Sequence, residues 1–273
     1  MKMLTGVLEP TSGTLSVAGA DIVQQRIQAQ RRIGYLPETA PLYPEMLVQE
    51  YLLMMAELRG VEANEAVAAV AVAAAATGLG GRMVQPIGTL SKGFRQRVGI
   101  AQAIVHSPDV LVLDEPTNGL DPAQIEAIRG LIRTLGKHTT VLLSTHILQE
   151  VEAVCDRVLV MIDGRLATDA PLKQLLASHT MHLSLRTGAS GVDDALRGIA
   201  GVWSVRALGS DSTLPDHQAW ALDCSDDAWP TDAVVALVAE RGWRLGALAP
   251  EKRTLASVFQ DLQTEYARDG VAQ

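Results

Sequence analysis

The stretch VLVLDEPTNGLDP, from Val110 to Pro122, runs four buried-type apolar residues straight into two adjacent carboxylates, Asp114 and Glu115. Such a run reads as a strand of a parallel sheet, whose carboxyl end delivers the next residues to the crevice where sheets of this class bind ligands. Two acids at that place suit phosphoryl transfer. One carboxylate holds Mg2+ through its waters while a second orients and deprotonates the attacking water; the first task is assigned to Asp114 and the second to Glu115. An acidic surface turn is the competing reading, and the neighbouring segments speak against it.

Upstream lies TLSKGFRQRVGIAQAIVHSPDV, starting at Thr89. Ser91 is a good N-cap, Gly93 lets backbone approach a ligand, and RQRVGIAQAI reads as a helix with an apolar face. The free amides and dipole of a helix start favour an anion, although capped helices are common and this one alone decides little. Arg95 and Arg97 read as solvated or salt-bridged side chains. Downstream, STHILQEVEAVCDRV places His146 just past the apolar strand TVLLST, one strand after Asp114 and Glu115. A histidine there can hydrogen-bond a phosphate or position a water, a purely structural role being the competing reading.

Around these segments the chain alternates apolar runs with helical patterns from Gly13 to about Thr180, which predicts an α/β sheet covered by helices. The expected strands are TLSVAG, RIGYLP, VLVLD, TVLLST and RVLVMI. A helix is expected at the start, where Met1, Leu4 and Leu8 fall at helical spacing, although nothing caps it. From Pro41 to about Gly88 the pattern is almost wholly helical, including the run AVAAVAVAAAA from Ala66 to Ala76, which reads as an amphipathic or buried helix. With the helix after Ser91 it makes a helical subdomain at about 41–105, inside a first domain at 1–180. After Thr180 a βαβ-βαβ order predicts a small α+β domain at 181–273, closed by a helix near TLASVFQDLQTEY. Trp203, Trp220, Trp229 and Trp243 read as ordinary core or interface aromatics.

The 273 residues carry a formal net charge of -8, which argues against nucleic acid as a partner, because phosphate binding needs a concentrated cationic surface. Cys155 and Cys224 have no CxxC partner or nearby His pair, so neither a zinc site nor a disulfide framework is expected. No apolar run reaches the roughly 18 residues that span a bilayer.

Taken together, these segments resemble the nucleotide-binding subunit of ABC transporters from Met1 to about Thr180. LSKGF at Leu90 looks like that family's signature motif, VLVLDE its Walker B, NGLD from Asn118 its D-loop, STH its switch histidine, and IGYLPE from Ile33 falls at its Q-loop. The remainder is similar to the C-terminal extension of multidrug and gliding-motility exporter cassettes. The resemblance implies a P-loop NTPase-like core working with ATP and Mg2+ as a dimer, at the cytoplasmic face of the membrane and against a transmembrane permease subunit. Ser91 and Gly93 would touch the γ-phosphate held by the opposite cassette, Asp121 would lie at the dimer interface, His146 would contact the γ-phosphate, and the helical block would dock on the permease.

Lys92 stands at the first signature glycine, Phe94 at the usual glutamine, and Glu38 at the Q-loop glutamine, where it could contact the metal or its water. No G-x-x-x-x-G-K-[ST] occurs in the chain, so no phosphate-cradling loop is present. MKMLTGVLEPTSG looks like the segment just after that loop in the family. The expectation is a core truncated at its N-terminus, either because the true protein starts earlier or because the chain is a non-hydrolysing partner that completes another cassette's ATP site. In either case this chain by itself is expected to bind Mg-ATP poorly and to expose unpaired strand edges. An ABC-type protein of DNA repair or translation is disfavoured by the acidic charge and the single cassette.

Overall fold

The structure, a computed structural model, describes residues 1–211, 213–225 and 229–270. The chain divides into two compact units, Met1–Cys155 and Asp156–Gln273, so the boundary falls ahead of the one expected at 180. No helix among the described residues is long and apolar enough to cross a membrane.

The first unit opens with turns instead of the expected helix. Thr5 N–H reaches the Met1 carbonyl at 3.1 Å, but Gly6, at a φ of 69°, ends the turn before it propagates. One uncapped turn fixes several dihedrals for little hydrogen bonding and does not persist as a helix. The expected strand TLSVAG is reduced to β1 (Ser16–Val17), paired antiparallel with β2 (Ala20–Asp21). Ala18 and Gly19 between them have φ of 48° and 81°, the positive values that a tight hairpin turn demands. Helix α1 (Arg26–Arg31) leads into β3 (Ile33–Leu36), then α2 (Val48–Leu58), α3 (Ala63–Thr77) and α4 (Lys92–Ile104). Next come β4 (Val110–Asp114), α5 (Pro122–Leu135), β5 (Thr140–Ser144) and α6 (Leu148–Val154).

Strands β3, β4 and β5 form a parallel sheet with β4 in the middle. Its alternation explains the apolar run: Leu111 and Leu113 pack with Ile100, Ala103, Ile128 and Ile132 on one face, while Val112 packs with Val17, Ile22, Ala29 and Ile33 on the other. Every side chain of the strand before Asp114 is therefore spoken for, and the acids emerge where burial ends. Strand β5 pairs only with β4, which leaves its second edge unpaired among the described residues.

The helical block has its own core, in which Val48, Tyr51 and Leu52 of α2 meet Val70, Ala73 and Ala74 of α3 and Val98 of α4. The alanine-rich helix buries Ala66, Val70, Ala73 and Thr77 on one stripe and ends at Gly78 in the left-handed conformation at a φ of 69°, the usual glycine stop. Val67 and Val72, off that stripe, are exposed, so α3 is amphipathic by position more than by composition.

The second unit begins with the hairpin β6 (Arg157–Ile162) and β7 (Arg165–Pro171), followed by the short α7 (Leu172–Leu175). Then β8 (Thr180–Arg186), α8 (Val192–Arg197), β9 (Val202–Ser210), β10 (His217–Cys224), α9 (Thr231–Glu240) and β11 (Leu245–Pro250) make an antiparallel sheet of order β11-β8-β10-β9. Leu183, Leu185, Trp220 and Leu222 line one face of that sheet and pack against Leu196, Val234 and Val238. Helix α10 (Leu255–Gly270) follows, and the Tyr266 hydroxyl donates to the Leu166 carbonyl of the hairpin at 3.3 Å. Trp220 is a core residue whose Nε1 donates to Asp193 at 2.7 Å, and Trp243 packs against the same core. Trp203 and Trp229 are exposed. Cys224 is buried and its thiol donates to the Leu222 carbonyl at 3.4 Å.

Two outcomes test this packing. Gly34 of β3 lies so close to α4 that an added Cβ collides with the Ala103 carbonyl and comes within 2.9 Å of Pro108. Gly34→Ala is expected to lower unfolding free energy by more than about 2 kcal/mol, whereas Gly80→Ala, with nothing within 4 Å, leaves the denaturation midpoint nearly unchanged. His106, mostly buried, has Nε2 3.1 Å from the Ile33 carbonyl and a buried Nδ1 without a partner. Burial, then the Arg59 charge, push its pKa from 6.5 down to about 4. The unfolded chain takes up this proton at the higher pH, so the stability it contributes is complete above pH 6.5 and is lost as pH falls towards 4. Thermal unfolding across that interval is expected to show this decline in the natural chain and a flatter profile in His106→Gln.

Candidate active site

Strands β4 and β5 run parallel in a register that sets Asp114 beside Ser144, so the residues leaving both strands meet. The Ser144 hydroxyl donates to Asp114 Oδ1 at 2.5 Å. Its carbonyl accepts the Glu115 N–H at 3.1 Å. At that point the chain turns: Glu115 has a φ of 49°, a left-handed conformation that costs a non-glycine residue about 1–3 kcal/mol. The turn closes through the Asn118 N–H to the Glu115 carbonyl at 3.1 Å and through Gly119 at a φ of 68°.

Turning the chain there aims the Glu115 side chain at His146. Nδ1 of His146 lies 2.9 Å from Glu115 Oε1, and because a carboxylate only accepts, the imidazole donates from Nδ1. This hydrogen bond, then the Glu115 charge, and to a lesser extent the charges of Glu150 and Glu38, raise the His146 pKa above its ordinary 6.5. Glu115 Oε2 is buried without a hydrogen-bond partner. Glu38, exposed on the segment after β3, accepts from Asn118 Nδ2 at 3.4 Å. Tyr35 on β3 has its pKa raised by burial and then by the charge of Asp114. Asp114, Glu115, His146 and Glu38 thus fall in one cluster at the carboxyl ends of the sheet.

Ser91, Gly93 and Asp121 form a second group, and among the described residues none of them hydrogen-bonds the first four. The Ser91 hydroxyl accepts the Phe94 N–H at 3.4 Å and Asp121 Oδ1 accepts the Gln124 N–H at 2.9 Å, so each caps its helix. The two helix starts meet: a Cβ on Gly93 would lie 2.7 Å from the Gln124 amide, and the Lys92 ammonium rests against Gly119. The guanidinium carbons of Arg82 and Arg97 lie over the Phe94 ring, 4.9 and 5.8 Å from its centroid. Arg95 and Arg97 donate to the Leu90 and Thr77 carbonyls at 2.9 and 3.0 Å, binding backbone where the sequence suggested solvent or ion pairs.

Three residues of the site escaped sequence reasoning. Ser144 is legible once VLVLD and TVLLS are aligned as parallel neighbours. Gln124 and Glu150 carry no such signal, since a polar residue on a helix reads as solvated until its contacts are known.

The carboxylates at the sheet's end suit Mg2+. No three His, Cys, Asp or Glu side chains among the described residues converge to hold a metal by themselves, and Mg2+ typically takes one or two carboxylates while its other positions go to water and phosphate oxygens. Asp114 suits that use, and the orphaned Glu115 Oε2 is an acceptor suited to a water proton. The backbone cradle of a G-x-x-x-x-G-K-[ST] loop is not among these 273 residues.

The sequence pattern of the family described as ABC transporter matches residues 1–118. The chain is 35% identical over 188 residues to the bacitracin transport ATP-binding protein BcrA of Bacillus licheniformis, covering 68% of this chain and 60% of that protein. It is 36% identical over 181 residues to the ABC transporter ATP-binding protein NatA of Bacillus subtilis (strain 168), covering 65% of this chain and 73% of that protein. A solved structure titled as the ATP binding subunit of an ABC transporter superposes with a TM-score of 0.57 at 30% identity, over 64% of this chain and 73% of that one. The chain spans about 60% of the length of the first curated relatives it matches. With NatA matched over 73% of its length at 36% identity, and with the parallel α/β core and carboxylate pair in place, the chain belongs to the ATP-binding subunits of the ABC transporter family.

Proposed function

We propose that this chain is the ATP-binding and ATP-hydrolysing subunit of an ABC transporter that powers export through a separate membrane subunit. The observation that carries the reading is the 2.9 Å contact between Glu115 and His146 at the end of β4, beside Asp114. Asp114 would hold Mg2+ through its waters, and the bound ion would neutralise phosphate charge. Glu115, turned away from the strand by its left-handed backbone, would accept the proton of the attacking water, and His146 would keep that carboxylate in place and face the γ-phosphate. Ser91 and Gly93 at the start of α4 would meet the γ-phosphate of a second cassette, with Asp121 at the interface between the two, so the working form is a dimer. Glu38 would contact the metal or its water.

The helical block supports the membrane partner. An open, largely apolar cleft of about 340 Å³ runs between α2 and α3, lined by Leu53, Val70, Ala74 and Met83 among others, and would receive the permease at the cytoplasmic face. The acidic net charge of -8 sits with a partner that is not nucleic acid.

A second reading is a non-hydrolysing ABC-like subunit that lends its Ser91 face to a partner's ATP. ATP turnover separates the two. In the native two-cassette assembly, Glu115→Gln is expected to lower the hydrolysis rate by about 100-fold or more while nucleotide binding persists; an unchanged rate would remove Glu115 as the base. Equilibrium binding on residues 1–273 alone is expected to be weak, and tight Mg-ATP binding would contradict the role given to the missing loop.

A further inference from the structure

Glu150, in the first turn of α6, is only 1% exposed. Its Oε2 accepts two hydroxyls, Thr117 at 2.6 Å and Thr145 at 3.1 Å, while Oε1 is buried with no partner. Carboxylates this deeply buried are rare, and an unsatisfied acceptor is destabilising, so stability alone does not account for the residue. Its two partners stand at informative places. Thr117, itself 2% exposed, lies in the turn that reverses the chain just after Glu115. Thr145 directly precedes His146, and its hydroxyl also accepts the Ile147 N–H at 3.1 Å. One buried carboxylate oxygen therefore joins the turn that carries Glu115 to the segment that carries His146.

We propose that Glu150 is a positioning residue: by holding Thr117 and Thr145 together it keeps Glu115 and His146 facing each other at hydrogen-bond distance. The proposal rests on the reading of Glu115 and His146 as base and phosphate contact, but the geometry it asserts can be measured without turnover. A clamp of this kind is needed because His146 is exposed and Glu115 sits in a backbone conformation that it leaves readily unless neighbours hold it. Thr117 reaches the clamp only because the Glu115 turn brings it back over the sheet. Loss of either hydroxyl contact frees one of the two segments, although the β4–β5 pairing itself stays intact.

The test is imidazole 15N NMR on the full 273-residue protein, at a pH where His146 is neutral. Held against Glu115, the ring carries its proton on Nδ1; released, the proton redistributes towards Nε2. Thr117→Val removes the hydroxyl while keeping Glu150 and its charge, and is expected to shift His146 towards the Nε2–H form. Thr117→Ser, which restores the hydroxyl, keeps the natural signals, and Glu150→Leu behaves like Thr117→Val. Thr145→Val, nearer the surface, is the variant to read if the buried substitutions do not fold. Folded Thr117→Val with unchanged His146 signals and only a lower melting temperature overturns the proposal, because that is what a purely structural role produces. If instead the tautomer shifts as expected but Glu115→Gln keeps full ATP turnover, the clamp stands and the catalytic reading of Glu115 falls.

Discussion

The parallel pairing of β4 with β5, in the register that places Asp114 beside Ser144, is the constraint on which the rest of the site depends. It consumes the apolar side chains of β4 on two faces and leaves the first polar residue where the sheet ends. It also makes Ser144 serve twice, its hydroxyl donating to Asp114 and its carbonyl accepting the Glu115 N–H. That second bond fixes where the chain departs from the strand, and the left-handed turn at Glu115 is its consequence. A slip of one residue would turn Leu111 and Leu113 to the opposite face and take the carboxylates away from His146 together. Core packing and site geometry are thus set by the same hydrogen bonds.

Much of this was legible because the relevant signals are local. An unbroken apolar run ending in acids specifies a buried parallel strand, and Ser91 and Asp121 announce the helices they cap. The βαβ-βαβ order after Thr180 could be read from alternation in the same way, since Leu183, Leu185, Trp220 and Leu222 all face one core. What could not be read depends on residues distant in sequence. Glu150 has its partners at Thr117 and Thr145, and Gly93 needs its missing side chain because of Gln124, not only for a ligand. The opening segment misled for a different reason: Met1, Leu4 and Leu8 have helical spacing, but spacing without a cap or length does not make a helix. Trp203 shows the opposite limit, because nothing in its neighbours distinguishes an exposed ring from a buried one.

The electrostatics of the cluster come from the same arrangement. Three carboxylates, those of Glu115, Glu150 and Glu38, favour the charged form of one exposed imidazole, with the Glu115 hydrogen bond leading. Exposure lets solvent and salt screen the weaker contributions, so the contact with Glu115 should dominate what is measured. Burial acts in the contrary direction on His106, where desolvation drives the imidazole towards neutrality. Two histidines in one unit thus report two environments, one beside an acid at the carboxyl end of the sheet and one mostly buried against the Ile33 carbonyl at the start of β3.

The most direct test of the account is the pKa of His146, read by NMR titration of the natural chain and of Glu115→Gln. If β4 and β5 bring these side chains together as described, the natural chain shows a value above 6.5 and the variant returns towards the ordinary range for histidine. Equal values in the two proteins would mean that Glu115 and His146 do not meet, and the site as assembled here would be contradicted.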